Sequence, residues 1–429
     1  MSNNPKTYSL KELGLSPKNL DRHAVSITDK LVKAGFQAYL VGGCVRDLLL
    51  GLQPKDFDVS TNAEPEQVQA LFKNCRLIGR RFRLAHIHFG RHIIEVATFR
   101  GPHVKQDKNT SHAHKDGRLL RDNVYGTLEE DAWRRDFTVN ALYLDAQNNT
   151  VIDHVGGIED HQNKTLRLMG EPIQRYKEDP VRMLRAIRFK AKLDFQLEHG
   201  TESPINDLAP LLKDIPSARL YDEVLKLFLS TQATQVFEGL RQYGLFEALF
   251  PQSEQCLKHA TSDQPLLLVR QAMENTETRL KDNRHVTPYF LLAAILWEPV
   301  RRLTEKNRPS LNSDVQAINA AAGEVIAHQI GRIAIPRRIT TPMREVWALQ
   351  PKFHKRSGIR CLRFLEHPRF RAAYDFMLLR AQYGEIDSKV ADWWTHIQTL
   401  DAGEQKKLTH AKQFQGKRKP KKTSPTKPA

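Results

Sequence analysis

The chain has 429 residues, 40% of them apolar and 27% charged, enough for two or three units with substantial cores. Lys and Arg number 66 against 49 Asp and Glu, a formal charge of +17, so nucleic acid leads as the partner class, with an anionic membrane surface the other class that charge alone allows. Cys44, Cys75, Cys256 and Cys361 are scattered with no C-x-x-C pair, which argues against a zinc site and a disulfide framework and fits a reducing cytoplasm.

No long apolar stretch opens the chain, and the strongest apolar run, Tyr289 to Trp297, is about half the length needed to span a bilayer. It reads as a buried helix in a soluble protein. Residues 1–22 read as a polar arm. From Asp21, DRHAVSITDKLVKAGF places apolar residues at helical spacing and stops at Gly35. A strand from Gln37 to Val41, a Gly42-Gly43 turn, a helix from Cys44 to Leu50 and a strand from Phe57 to Ser60 follow. EPEQVQALF reads as a helix with Pro65 in its first turn. Two strands come next, Leu84 to Phe89 and His92 to Phe99, joined by Gly90-Arg91. Residues 101–124, rich in His, Lys, Asp and Gly, read as a mobile loop within the first domain. An acidic helix (Leu128 to Trp133), a strand (Val139 to Leu144) and a short strand near Val151 close a mixed α/β region. Beyond about residue 165 the strand signal fades, and segments such as PVRMLRAIRFKAKL and ARLYDEVLKLFLS carry helical spacing. The last 25 residues, from Gln405, hold nine Lys or Arg and no acid, and are expected to be disordered. Without them the charge is still +8.

The chemistry concentrates in four segments. In KDFDVST, side chains alternate along a strand, so Asp56 and Asp58 share one face while Phe57 turns to a core. Two adjacent carboxylates repel unless a cation sits between them, and hard divalent ions take one or two carboxylates plus substrate phosphates. An isolated D-x-D is more often a solvated loop; here Gly42-Gly43 stands about a dozen residues upstream, between a strand and a helix, where glycines admit a triphosphate to a helix N-terminus. Arg46, in the first turn of that helix, adds a charge-assisted contact. Glu95, inside HIIEVATF, is a third carboxylate for the site or a side chain facing solvent. Arg134, Arg135 and Asp136 stand together before a strand, as a phosphate clamp or as a surface ion-pair cluster. In KEDPVRMLRAIRF, Asp179 and Pro180 form a helix start, with Arg182 and Arg185 three apart on one face. These are a plain cap with solvated arginines, or groups presented to a nucleotide. The tail residues Lys417, Arg418, Lys419, Lys421 and Lys422 suit electrostatic, salt-sensitive RNA tethering, or serve solubility.

LVGGCVRDLLLG, KDFDVSTNA, RRDFTVNALYLD and EDPVRMLRAIRF, in this order, resemble the bacterial branch of the polymerase β-like nucleotidyltransferases, which holds poly(A) polymerases and CCA-adding tRNA nucleotidyltransferases. The likeness continues through ARLYDEVLKLF and LEHPRFRAAYDFMLLRA. It implies that Asp56 and Asp58 bind two Mg²⁺ ions, with Glu95 a plausible third metal carboxylate. It implies that Gly42, Gly43 and Arg46 hold the triphosphate, that Asp136 belongs to the catalytic set with Arg135 near the nucleotide, and that Asp179, Arg182 and Arg185 contact the incoming nucleotide. The stretch RLIGRRFRLAHIHFG resembles the poly(A) polymerase version.

The expected fold is an α/β nucleotidyltransferase head (23–164), an all-α neck carrying a nucleotide- and RNA-binding motif (165–230), an all-α RNA-binding body (231–400), and a disordered basic tail (401–429). The expected reaction moves AMP from ATP to RNA 3′ ends, those of messengers, decay intermediates and small RNAs, and releases pyrophosphate. A cytoplasmic monomer is expected. The rivals are a CCA-adding enzyme and, further off, a non-catalytic RNA-binding protein with the same fold.

Overall fold

The strand signals of the N-terminal half assemble into one eight-stranded sheet. The computed structural model describes residues 4–79, 83–101 and 124–410, in two units, Met1–Leu211 and Leu212–Ala429. In the first unit the strands are β1 (Lys6–Ser9), β2 (Ala38–Val41), β3 (Asp58–Thr61), β4 (Cys75–Ile78), β5 (Leu84–Phe89), β6 (His92–Thr98), β7 (Leu142–Asp145) and β8 (Thr150–Asp153), ordered β1-β8-β7-β2-β3-β6-β5-β4. Within this eight-stranded sheet only β3 and β6 pair in parallel; its other pairs are antiparallel. The longer helices of this unit are α1 (Arg22–Lys33), α2 (Gly43–Leu49), α3 (Pro65–Leu71), α4 (Leu128–Arg134), α5 (Gly157–Gln162), α6 (Pro172–Glu178) and α7 (Val181–Leu193), followed by the short helices His199–Glu202 and Ile205–Leu208.

Helix α1 shows why the sheet has two unlike faces. Ala24, Ile27, Thr28 and Leu31, at i, i+3, i+4 and i+7, form its buried stripe, and Asp21 caps its first turn by accepting from the His23 and Ala24 N–H groups at 2.9 Å. That stripe joins Ala38, Leu40, Val59, Ile87, Ile94, Val96, Leu142, Leu144 and Val151 in one core. Each Leu or Ile so buried contributes roughly 2 kcal/mol. Because strand side chains alternate, the partners of these residues, including Val41, Asp58, Glu95 and Tyr143, lie on the opposite face. That face carries a smaller apolar cluster of Val41, Ala132, Ala141 and Tyr143 beside its polar groups.

Several expectations need correction. Residues 1–22 are more than a polar arm: Lys6–Ser9 is edge strand β1, paired with β8, and Leu10 is buried with Tyr8, Leu13, Leu15 and Leu20 packed on the same core. The apolar side chains among the polar ones dock it. Residues 138–140 form a 3-10 turn before β7 rather than the start of a strand. The strand signal does not end at 165, since Thr165–Leu166 and Gln196–Leu197 pair in parallel. The division after Leu211 falls inside the segment expected to be the neck. The loop expected over 101–124 lies outside the described residues except at its ends, which are pinned: Gly101 N–H donates to Val124 O at 2.9 Å, and Gly126 N–H to Phe99 O at 3.0 Å. The two strands cross so closely there that a Cβ on Gly126 would collide with the Gly101 backbone, so the residue must be glycine.

The second unit is helical, from Ser217–Phe228 to Ala402–His410. The apolar run at 289–297 is a helix, Pro288–Ile295, whose last five residues are buried. Near the end of the chain, Phe353, Phe364, Phe370 and Trp394 pack edge-on and tilted around one another, with ring centroids 4.9 Å apart for Phe353–Phe364 and 5.4 Å for Phe364–Trp394. The expected disorder from Gln405 is corrected over its first residues: the helix runs to His410 because Leu408 packs on that aromatic cluster and Thr409 is buried. Lys417, Arg418, Lys419, Lys421 and Lys422 lie outside the described residues. Among the described residues no helix is long and apolar enough to cross a membrane.

Candidate active site

The turn from β2 into α2 places Gly42 and Gly43 at the sheet's polar face. Gly42 has φ +77°, a backbone state that side chains disfavour, and a Cβ there would stand 3.3 Å from the Arg135 guanidinium. A Cβ on Gly43 would stand 3.5 Å from that of Arg46. The glycines therefore let the backbone pass close to two arginine side chains.

β3, next to β2, delivers the acids. Phe57 and Val59 enter the core and Asp58 turns to the other face; Asp56, two residues before the strand, is exposed and near enough to act on the Asp58 carboxyl. Asp58 stands opposite Val41 on one side and in register with Glu95 of β6 on the other. Glu95 in turn faces His86 of β5, whose Nε2 is 3.4 Å from its carboxylate. Burial and the Glu95 carboxylate push the Asp58 carboxyl up to about 6; Arg135 pulls it down, and Asp56 adds a smaller push. A divalent cation would cancel that repulsion, so these acids suit one. Asp56 and Asp58 match a magnesium-type donor pair, which fills its shell with substrate phosphates and water. Among the described residues no three His, Cys, Asp or Glu side chains gather as a metal-binding set.

Arg135 links these acids to a second network. Its Nε donates to the Tyr143 hydroxyl (3.0 Å) and its Nη2 to Asp131 (3.1 Å), while the Tyr143 O–H donates to Asp131 at 2.6 Å. Burial pushes the Tyr143 phenol up, which keeps it protonated as that donor. Asp136, one residue on, points elsewhere. It accepts from Arg185 Nε (2.7 Å), from the Asn140 amide (3.1 Å) and from the Phe137 N–H (2.9 Å). Burial alone would raise its carboxyl; Arg185 and these donors outweigh burial and hold it below the usual carboxylate range. Asn140 also accepts from Arg46 Nη1 at 2.5 Å. Arg46 is 3% exposed, bound to Asp47 as well, and both it and Arg185 lie over the Phe189 ring. The chain Arg46–Asn140–Asp136–Arg185 thus joins α2, the turn before β7, and α7.

The remaining residues are less closely joined. The helix start at Asp179-Pro180 lies one residue later than expected: α7 begins at Val181, and Asp179 closes α6 while accepting from the Val181 N–H at 3.3 Å. Arg182 donates to Glu178 and to the Arg175 carbonyl, away from the Asp136 network. Arg134 donates to the Gly101 carbonyl, at the pinned base of the long loop.

Four contributors were not singled out from the sequence. Asn140 joins two motif groups, and Asp131 with Tyr143 fixes Arg135. Arg175 donates to the carbonyls of Arg134 and Arg135 at 3.0 and 2.9 Å, tying α6 to that turn. Asp131 and Arg135 are four apart across α4 and its last turn, a pairing that helical spacing does announce. Asn140 and Tyr143 give no local signal beyond being polar in an apolar run.

Three family models match the chain: the poly A polymerase head domain over 38–167, the probable RNA and SrmB- binding site of polymerase A over 194–257, and the polymerase A arginine-rich C-terminus over 311–428. The poly(A) polymerase I of Haemophilus influenzae is 48% identical over 416 residues, 96% of this chain and 92% of its own. A CCA-adding enzyme of Lactobacillus helveticus is 38% identical over 216 residues, which span 50% of this chain and 52% of its own. A solved CCA-adding enzyme in complex with ATP shares the fold, with TM-score 0.63 at 19% identity over 91% of this chain and 85% of that one. Similarity to the CCA-adding relative stops at half the chain, whereas similarity to poly(A) polymerase I runs through both units: the chain belongs to the poly(A) polymerase family and is a polynucleotide adenylyltransferase.

Proposed function

We propose that the reaction takes AMP from ATP to the 3′ hydroxyl of RNA at the polar face of the sheet. The RNA 3′ oxygen bonds to the α-phosphorus, the bond from that phosphorus to the β-phosphate oxygen breaks, pyrophosphate leaves, and the hydroxyl proton passes to solvent. The observation that carries this reading is the register of Asp58 with Glu95, two residues from Asp56 and within the influence of Arg135. Asp56 and Asp58 hold magnesium, with Glu95 as the neighbouring carboxylate. Bound there, magnesium eases ionisation of the attacking hydroxyl and neutralises charge on the departing pyrophosphate. Gly42 and Gly43 admit the triphosphate to backbone N–H groups, and Arg46 and Arg135 supply positive charge behind them. Asp136 holds Arg185 toward the nucleotide, and Asp179, at the end of α6, and Arg182, in the first turn of α7, border it. Any RNA with a free 3′ hydroxyl offers the one acceptor group required, so messengers, decay intermediates and small RNAs all qualify.

Magnesium with a non-hydrolysable ATP analogue, at about ten times its dissociation constant, should stabilise the protein by about 1.4 kcal/mol. The melting temperature then rises by about 2–4 °C. Asp56→Asn should lose most of that rise. An equal rise in the variant would remove Asp56 from the metal site.

A further inference from the structure

In the C-terminal unit, two basic spacings meet over one cavity. Lys352 and Lys355 are three apart at the 3-10 turn Gln350–His354, and Arg360, Arg363 and His367 recur three and four apart along and just past the helix Ile359–Leu365. Together they surround a cavity of about 310 Å³ floored by Phe364 and Cys361. The floor belongs to the aromatic core with Phe353 and Trp394, and is therefore rigid and dry. Lys352 already stands 5.6 Å from the centre of the Phe364 ring.

The charges around this cavity are unusual for the unit. Arg301, Arg369 and Arg380 each pair with a carboxylate at 2.7–2.8 Å. Among the described residues, Lys352, Lys355, Arg360 and Arg363 have no such partner, and no acid is among the residues that line the cavity. Four exposed like charges around an apolar floor repel one another, at a cost that a bound polyanion removes. A ligand that fits both parts has a flat apolar portion for the floor and phosphates for the rim. Single-stranded nucleic acid is bound in this way, by an electrostatic rim and an aromatic or apolar platform.

We propose that this cavity is a subsite for one nucleotide of the RNA strand being extended, its base against the Phe364–Cys361 floor and its phosphates on Lys352, Lys355, Arg360 and Arg363. The cavity lies outside residues 194–257, which match the RNA-binding model. The proposal rests on RNA being the acceptor, and the wild-type enzyme serves as control for that reading.

The test measures binding of the full-length protein to a fluorescent 20-nucleotide oligo(A) over a range of salt, together with elongation kinetics. In Lys352→Ala/Arg363→Ala, the dissociation constant should rise about tenfold and the log–log salt slope should shrink by about 1.4, two phosphate contacts at roughly 0.7 each. The KM for RNA should rise while the KM for ATP is unchanged. The charge-keeping variant Lys352→Arg/Arg363→Lys should bind nearly as the wild type does. Unchanged affinity and slope in the alanine variant would overturn the subsite, as would equal loss in the charge-keeping one. Failure of the wild type to bind or extend oligo(A) would instead refute the acceptor reading.

Discussion

Asp58→Asn is expected to lower AMP transfer by roughly 10³-fold or more while making the fold more stable, by about 1 kcal/mol at neutral pH without divalent cation. The two effects have one cause. Asp58 sits half-buried between Glu95 and Asp56, and burial with the Glu95 charge lifts its carboxyl from the ordinary 3.8 to about 6. An acid raised in the folded state contributes stability below its unfolded pKa and loses it as pH rises through the folded value. At pH 7 the protein therefore bears the full cost of an ionised Asp58. Solvent at the carboxylate's edge screens part of the cost, which brings the expected gain down to about 1 kcal/mol. Asparagine keeps the shape, removes the charge and no longer binds a hard cation. Chemical denaturation and a transfer assay on the purified variant read both effects. Retained transfer, or an asparagine variant less stable than wild type, would contradict the site as drawn.

The second large effect has the opposite sign. Asp136→Asn should destabilise the protein by about 2 kcal/mol at pH 7, because the Arg185 guanidinium then faces an amide N–H₂ in place of a carboxylate. The Arg185 side chain is 31% exposed, which keeps the loss at the lower end for a broken ion pair. Asp136 is held below the usual carboxylate range by Arg185, Asn140 and the Phe137 N–H acting against burial. A lowered carboxylate contributes stability that is present above its unfolded pKa and is lost as pH falls through the folded one. The difference between wild type and variant should therefore be full at pH 7 and shrink below about pH 4. Transfer should fall by roughly 10–100-fold, since Arg185 loses its carboxylate partner and Asn140, which holds Arg46, loses its acceptor. A stability difference independent of pH would show that the Asp136 charge does not hold Arg185.

How much of this was readable beforehand depends on the range of each interaction. Period-two and helical spacings are local, so β5, β6, α1, α2 and α4 fall within a residue or two of expectation. The facing of Asp58 away from Val59 follows from the same alternation, whereas Asp56 precedes the strand. The meeting of Asp58 with Glu95 is a parallel register across 37 residues of chain, and no local pattern announces it. The place of Arg46 in a helix's first turn marks it as a phosphate contact; its burial against Asn140 and Phe189 depends on residues more than 90 positions away. β1 was missed because four residues of an edge strand, mostly polar, resemble a loop until Tyr8 and Leu10 find a core.

The central claim is that this site extends RNA with AMP from ATP. It is tested most directly by offering the purified protein, with Mg²⁺, an unstructured RNA and a tRNA lacking its terminal CCA, each with ATP alone, CTP alone or both. Long ladders from ATP alone are expected on the unstructured RNA, and none with Asp58→Asn. Addition confined to the tRNA, requiring CTP and ending after three nucleotides, would contradict it.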